Sequence, residues 1–289
     1  MNISKIFAFA SLVVFTWHAN ADPIAKLTFD MSFNGYTTMN GQFQGYFTDP
    51  SKPIHDTIVL TLPFTVRNIQ TYNDSYANNY VMNFGDTGQS AGIKITSGEM
   101  DTIFSGAEYK ALVEKDLKEL GVTSLSPSTN TPSPRDYAFL GKRDVHGAAV
   151  EQQYYTWLDM STQVTQHATG IDNADFLSMV RINGGIFGQP GNITPFSLSD
   201  VPKMLLEIDD KKSPGFAVSY TSFVDTFSTA NGAWTGRPLE VLYQGNGKLT
   251  GFTIDGVNQI PSAVPEPATY AMFLAGLFLL GFINIRRRS

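Results

Sequence analysis

Apolar and polar residues alternate along most of the segment from residue 22 to residue 263, and this period of two dominates the chain. Such alternation places every second side chain on one face of an extended strand, so that one face of a sheet can be buried. Val, Tyr, Phe and Thr are common in these stretches, whereas Gly, Asn, Asp and Pro cluster between them. The pattern predicts a mainly all-β fold, arranged as a β-sandwich or a jelly roll.

Strands are predicted wherever the alternation is clearest and turn residues bound it. The predicted strands are residues 25–33, 42–48, 57–68, 80–84, 92–96, 137–140, 150–160, 177–183, 204–208, 216–223, 239–243 and 248–254. Many short strands at this spacing are typical of antiparallel sheets.

One short helix is predicted over residues 105–120. Ser105 and Glu108 have the spacing of a capping box, and Gly121 is suited to the position just beyond the helix. The apolar side of this helix would consist of Leu112, Leu117 and Leu120.

The segment that follows the helix, residues 122–135, is rich in Ser, Thr, Asn and Pro and contains little that could pack. It is either a long surface loop or a link between two β subdomains. We favour the loop, because about 240 residues are enough for one large domain. Residues 22–263 are therefore predicted to form a single domain.

The N-terminus has the composition of a secretory signal peptide. Lys5 precedes an apolar stretch at residues 6–17, and the small residues Ala19 and Ala21 flank Asn20. An apolar stretch of about 12 residues is too short to span a membrane, and the A-x-A pattern marks a cleavage site. We predict cleavage after Ala21, which leaves a mature chain that begins at Asp22.

The C-terminal tail, residues 264–289, has three parts. Pro265, Glu266 and Pro267 form a strip that disfavours helix. An almost uncharged run at residues 268–285 follows, and as a helix it would be roughly 27 Å long, barely enough for a hydrocarbon core of about 30 Å. Arg286, Arg287 and Arg288 would stay in the cytoplasm by the positive-inside rule, so that residues 22–263 would face outward.

This combination resembles the PEP-CTERM sorting signal of Gram-negative bacteria. Pro265, Glu266 and Pro267 match its short motif, residues 270–283 match its transmembrane segment, and the three arginines match its basic end. The resemblance implies that an exosortase, a membrane-embedded transpeptidase-like enzyme, recognises and cuts the tail. It also implies that the export machinery delivers the chain, which is held transiently at the inner membrane with its passenger in the periplasm. The processed protein would then pass to the cell envelope or the extracellular matrix.

Charge and cysteine content exclude several classes of function. Residues 22–263 carry nine more acidic than basic side chains, and this argues against nucleic acid as a partner. The chain contains no cysteine, so disulfides, thiolate metal sites and cysteine nucleophiles are excluded. An exported protein of this kind must be held together by its hydrophobic core.

A candidate serine nucleophile lies within residues 88–92, which match the pattern G-x-S-x-G with Ser90 at its centre. In hydrolases this pattern forms a turn between a strand and a helix. Residues 93–96 are predicted to be a strand, however, although His146 and His167 follow in the required order. We expect a polar turn here.

Asp86-Thr87-Gly88, which overlaps that segment, resembles the active-site triplet of aspartic proteases. Their chemistry needs two carboxylates that share a proton, supplied by two lobes or by two subunits. The sequence has no second Asp-Thr-Gly, so a homodimer is the arrangement left open. We therefore expect that the protein is not an enzyme, and keep a secreted hydrolase as an alternative.

Metal and cofactor sites are not predicted. The histidines lack zincin spacing, and the acidic pairs at residues 172–175 and 209–210 lack the patterns of calcium-binding loops. We interpret these acidic residues as solvated turns.

Aromatic residues provide the one specific candidate for ligand binding, because exposed Tyr and Trp rings can cover the apolar faces of sugars. Tyr155 and Trp157 share a face of one predicted strand, and Trp234 lies in a loop rich in Gly and Thr. The alternative interpretation is that these rings fill the core.

These observations together predict an exported envelope or extracellular-matrix protein that an exosortase sorts, that is non-catalytic, and that is linked to exopolysaccharide or biofilm. A secreted carbohydrate-binding module is the first alternative function, and a secreted hydrolase is the second.

Overall fold

A computed structural model describes residues 22–73, 77–84, 92–127, 135–145, 154–187, 195–210, 215–227 and 234–260 of the chain. The strands are β1 Ile24–Met39, β2 Gln42–Tyr46, β3 Ile54–Pro63, β4 Asn68–Asn73, β5 Ala77–Asn83, β6 Lys94–Thr96, β7 Ser124–Pro127, β8 Arg135–Val145, β9 Tyr154–Thr169, β10 Ala174–Phe187, β11 Gly215–Phe227, β12 Trp234–Ile254 and β13 Val257–Asn258. The helices are α1 Met100–Ser105, α2 Ala107–Glu119 and α3 Val201–Asp210. The prediction of a mainly β chain is confirmed.

The strands form one antiparallel sheet that is curled into a half-barrel. Its order is β4-β5-β8-β9-β10-β11-β12-β1-β3-β6, with β2 beside β1, β7 beside β9 and β13 beside β12. The arrangement therefore differs from the two facing sheets of a sandwich. The strands that precede residues 128–134 in the sequence and the strands that follow them belong to this one sheet.

The inner face of the sheet carries the main hydrophobic core. In β1 the alternate residues Ala25, Leu27, Phe29, Met31 and Phe33 are all nearly inaccessible to solvent. The register places them beside the buried alternate residues of β3 and β12, so the period of two in the sequence becomes one continuous apolar surface.

The helices cover this inner face, and they occupy the space that a second sheet would fill in a sandwich. Tyr109 of α2 donates a hydrogen bond from its hydroxyl to the carbonyl oxygen of Val241 in β12, at 2.9 Å. The ring of Phe104, at the end of α1, lies 4.8 Å from that of Tyr109 and 5.4 Å from that of Tyr220 in β11. Asp209 of α3 accepts the backbone N–H of Leu249.

The helix predicted at residues 105–120 is confirmed as α2, but its predicted capping box is wrong. Gly106 precedes α2 without a side-chain cap, and Ser105 belongs to α1, where its hydroxyl donates to the carbonyl oxygen of Asp101. The C-terminal prediction is correct. Gly121 has a φ of +91°, and Val122 donates its N–H to the Leu117 carbonyl oxygen, as in a Schellman motif.

The strand predicted at residues 204–208 is wrong, because these residues form part of α3. Its buried residues recur at helical spacing, and they are Val201, Met204, Leu205 and Ile208. The start of the helix also carries a signal, since the Asp200 carboxylate accepts the N–H of Ser197 at 2.7 Å. Consecutive apolar residues in this segment made its helical period difficult to recognise in the sequence.

The strands predicted at residues 239–243 and 248–254 are one strand, β12. Gly245 and Gly247 lie inside it and pair with Phe33 and Met31 of β1.

Four glycines within strands each lie directly opposite an aromatic residue whose ring covers them. A Cβ atom added at Gly35, Gly141, Gly184 or Gly245 would come within 3 Å of the ring of its partner. These register partners are Tyr243, Trp157, Phe216 and Phe33. Large rings can lie flat on the sheet at these positions because the glycine has no side chain.

A smaller apolar cluster of Leu177, Met179 and Phe223 lies on the outer face of β10 and β11. The guanidinium of Arg237 lies 4.4 Å from the centre of the Phe223 ring and pairs with the Asp225 carboxylate at 3.0 Å. Charged side chains thus close this part of the outer face.

The carboxylate of Asp56 in β3 joins the sheet to the helical layer. It accepts the N–H groups of Glu99 and Met100, at 2.9 Å and 2.8 Å, which would otherwise lack partners at the start of α1. Partial burial alone would raise the pKa of Asp56, but these bonds, with others from Thr57 and Ser97, outweigh it and hold the pKa below its ordinary value.

We expect Gly245→Ala to destabilise the protein by about 1–3 kcal/mol, because the added methyl would lie 2.6 Å from the Phe33 ring and overpack the core. Gly236→Ala, in the same strand, is the matched control, since a Cβ there has no neighbour within 4 Å. Chemical denaturation of the two variants tests this, and equal stabilities would contradict it.

We expect Asp56→Asn to lower the free energy of unfolding at neutral pH by about 0.5–2 kcal/mol. Because the pKa of Asp56 is lower in the folded state, its contribution is present above the unfolded pKa of about 4 and is lost as the pH falls through the folded value. The difference between wild type and variant should therefore shrink in acid. Thermal denaturation at several pH values tests this, with Asp172→Asn in an exposed turn as control.

Candidate functional site

The hairpin of β1 and β2 carries the most unusual surface of the described residues. Its turn is Asn40-Gly41, where both residues have positive φ values of +50° and +74°. This pair is the preferred sequence of a two-residue hairpin turn, which fixes the register of the two strands.

A β-bulge in β2 directs two aromatic side chains to the same face. Thr37 pairs with Gly45, but Thr38 pairs with Phe43, so one extra residue is inserted between them. Gly45, with a φ of +146°, adopts the conformation that this irregularity needs. Phe43 and Tyr46, three positions apart, therefore lie together beside Tyr36 of β1; in a regular strand they would lie on opposite faces.

These three residues, Tyr36, Phe43 and Tyr46, are called the aromatic cluster. The ring centres of Phe43 and Tyr46 are 5.1 Å apart, and those of Tyr36 and Phe43 are 5.9 Å apart. Phe43 is 57% exposed and Tyr46 is 53% exposed. Of the Phe, Tyr and Trp side chains whose exposure the structure describes, only these two are exposed.

Polar side chains surround the cluster. The Tyr36 hydroxyl donates a hydrogen bond to the Gln244 side-chain carbonyl oxygen at 2.6 Å. Partial burial, together with nearby Glu240 and Tyr46, raises the pKa of Tyr36 above its ordinary value, so the hydroxyl keeps its proton at neutral pH. Gln244 itself is exposed.

A row of polar side chains continues from the cluster along the outer faces of β1, β12 and β3. We call it the outer strip, and its members are Asp30, Ser32, Asn34, His55, Thr57, Gln244, Asn246 and Lys248. The register pairs Asn34 with Gln244, Ser32 with Asn246 and Asp30 with Lys248, so amides and hydroxyls stand side by side.

The far end of the strip forms an open groove of about 490 Å³. Asp30 lies in the groove and accepts a hydrogen bond from the Thr57 hydroxyl at 3.2 Å. The Ser32 hydroxyl lies 2.8 Å from His55 Nδ1, and these two residues are direct register partners of β1 and β3. This contact is an ordinary side-chain pair between adjacent strands.

Trp157 is the one predicted sugar-contacting residue whose side chain the structure describes, and it lies in β9, outside this surface. Trp157 is half-buried, and its indole covers Gly141 on the neighbouring strand. Tyr155 and Trp234 lie in β9 and β12, and their side chains are outside the described part of the structure. The aromatic cluster was not predicted as a site, although the Asn-Gly turn and Gly45 in a strand signal a bulged hairpin.

The candidate catalytic residues are mostly outside the described residues, as Asp86, Ser90 and His146 all are. His167 is exposed and lies 3.6 Å from the Asp175 carboxylate, its register partner on β10. The structure therefore brings no proposed nucleophile and base together among the residues that it describes.

No group of three or more His, Asp or Glu side chains that could hold a metal occurs among the described residues. Of the acidic residues considered for calcium, Asp209 accepts a backbone N–H from β12, and Asp172 lies exposed in a turn.

The targeting segments lie outside the described residues, and these include Ala19, Ala21, the Pro265–Pro267 strip and the three terminal arginines. Within the described ranges, none of the helices has the length and apolar character that a membrane crossing requires. The predicted helix at residues 268–285 falls beyond those ranges.

Comparison with known proteins gives one finding, and it concerns the tail. Neither the curated proteins nor the solved structures include a match to this chain. A family model does match it at residues 263–288, the segment that contains Pro265, Glu266 and Pro267. The chain ends in a PEP-CTERM protein-sorting motif.

Proposed function

We propose that this chain is an exported envelope or extracellular-matrix protein, that an exosortase processes it through its tail, and that its folded part is non-catalytic. The match of residues 263–288 to the PEP-CTERM sorting motif is the observation that carries the proposal. Export and membrane-associated processing follow from the motif. The final location and the link to exopolysaccharide are proposed.

The physical character of the tail suits a temporary anchor. A run of about 18 apolar residues is only marginally long enough to span a bilayer, and three arginines hold its end in the cytoplasm. The Pro265–Pro267 strip would then lie at the periplasmic surface of the inner membrane, in a conformation that is not helical. Cleavage of a peptide bond there passes the new C-terminal acyl group to water or to an acceptor nucleophile.

Contacts at the start of the folded part support the predicted signal-peptide cleavage. The Asp22 carboxylate pairs with the Arg67 guanidinium, and the carbonyl oxygen of Pro23 accepts the N–H of Phe64. Ile24 donates its N–H to the Asp255 carboxylate at 2.8 Å. Cleavage after Ala21 would preserve all of these contacts.

A glycan-binding role is the second candidate, because the aromatic cluster presents two exposed rings among amide side chains. A secreted hydrolase remains the third. Turnover of ester, peptide or glycoside substrates that is lost in Ser90→Ala or Asp86→Ala would favour the hydrolase.

We expect the accumulated protein to begin at Asp22 and to lack the terminal arginines in a host that contains an exosortase. Intact-mass measurement and N-terminal sequencing of the protein from cells and medium test this. A retained Met1 would contradict signal-peptide cleavage. A retained C-terminus in that host would contradict processing by the exosortase.

We expect replacement of Pro265, Glu266 and Pro267 by alanine to leave the full-length protein in the membrane fraction, because the processing site is lost while the span remains. Pro261→Ala, which changes a proline outside the matched segment, should be processed like wild type. Deletion of the exosortase should have the same effect as the triple replacement. Normal processing in either case would refute the proposal.

A further inference from the structure

We propose that the aromatic cluster and the outer strip together form a binding site for a neutral polysaccharide chain. The inference deepens the proposed function and rests on it, since an exported protein meets such chains outside the cell. Three features of the surface carry it, namely its exposed rings, its uncharged polar groups and its length.

The exposed rings are the first feature. Phe43 and Tyr46 are more than half exposed, and a bulge at Gly45 holds both on one face. Bulges commonly redirect side chains next to binding sites. Sugar rings have apolar C–H faces, and an aromatic side chain gains free energy by covering such a face while its edges stay wet.

The chemical character of the strip is the second feature. It presents amides and hydroxyls, which both donate and accept hydrogen bonds as sugar hydroxyls do. Asp30 and Lys248, its two oppositely charged residues, are register partners, so their charges offset each other. The acidic excess of nine charges over residues 22–263 opposes an acidic polysaccharide or a nucleic acid.

The length of the surface is the third feature. Tyr36 and Asp30 lie six residues apart on β1, which is about 20 Å at 3.3 Å per residue. The groove of about 490 Å³ lies along the Asp30 end of this length. A narrow open surface of this length suits several consecutive units of a linear chain. The other part of the outer face, around Phe223, is closed by Arg237 and Asp225.

The experiment uses the protein as it accumulates in its host, run in native gels that contain hydroxyethylcellulose, laminarin, dextran or alginate. We expect at least one of the three neutral polysaccharides to retard the wild type, and alginate not to do so. Phe43→Ala and Tyr46→Ala should each weaken that binding about fivefold or more, because each removes a contact face. Gln244→Ala should weaken it less.

Val257→Ala is the matched control, because it removes an exposed apolar side chain on β13, away from the strip, and should bind like wild type. Thermal denaturation confirms that each variant is folded. The proposal would be overturned if none of the neutral polysaccharides retarded the wild type. It would also be overturned if Phe43→Ala and Tyr46→Ala bound as tightly as the wild type. Preferential binding of alginate would identify an anion site instead, and dimers that dissociate on Phe43→Ala would identify a second copy of the chain as the occupant.

The sorting assay and this binding assay fail independently. A protein that is processed normally but binds no neutral polysaccharide would overturn only the site. A protein that binds but keeps its tail would overturn only the proposed processing.

Discussion

The pairing of strand glycines with aromatic rings is the constraint on which the curled sheet depends. When a sheet curls, side chains on its inner face converge, and large residues on adjacent strands would collide. Gly245 opposite Phe33 and Gly184 opposite Phe216 remove one side chain from each such pair on the inner face. The ring then covers the exposed backbone of its partner, so burial is kept while the sheet bends.

The curl gives the two faces of the sheet different roles. The inner face is closed by α1, α2 and α3, and Asp56 fixes α1 there through its hydrogen bonds to the helix start. In the described part of the chain no helix covers the outer strip on β1, β3 and β12, which consists of amides, hydroxyls, His55 and the register pair of Asp30 and Lys248. One set of strands therefore supplies stability on one side and a recognition surface on the other.

The features of the structure that could be predicted from the sequence are those that a local sequence pattern determines. The period of two predicted the mainly β class, and Gly121 predicted the end of α2. Each of these signals depends only on the backbone conformation of a few neighbouring residues. A single curled sheet depends instead on which glycine meets which ring, and Gly245 and Phe33 are 212 positions apart. The aromatic cluster was not predicted, because the bulge at Gly45 places Phe43 and Tyr46 on the same face, whereas a regular strand would place them on opposite faces.

The proposed processing of the tail would change what keeps this protein near the cell. A membrane span would hold it before cleavage, and the part released into water would have lost that span. Covalent transfer to an acceptor would hold each molecule permanently, whereas a surface such as the outer strip would hold it reversibly. A single shallow site gives modest affinity, but a polysaccharide offers many equivalent sites, so a dissociated molecule rebinds nearby before it diffuses away. Weak binding is therefore sufficient for retention in a matrix, and a large buried interface is not required.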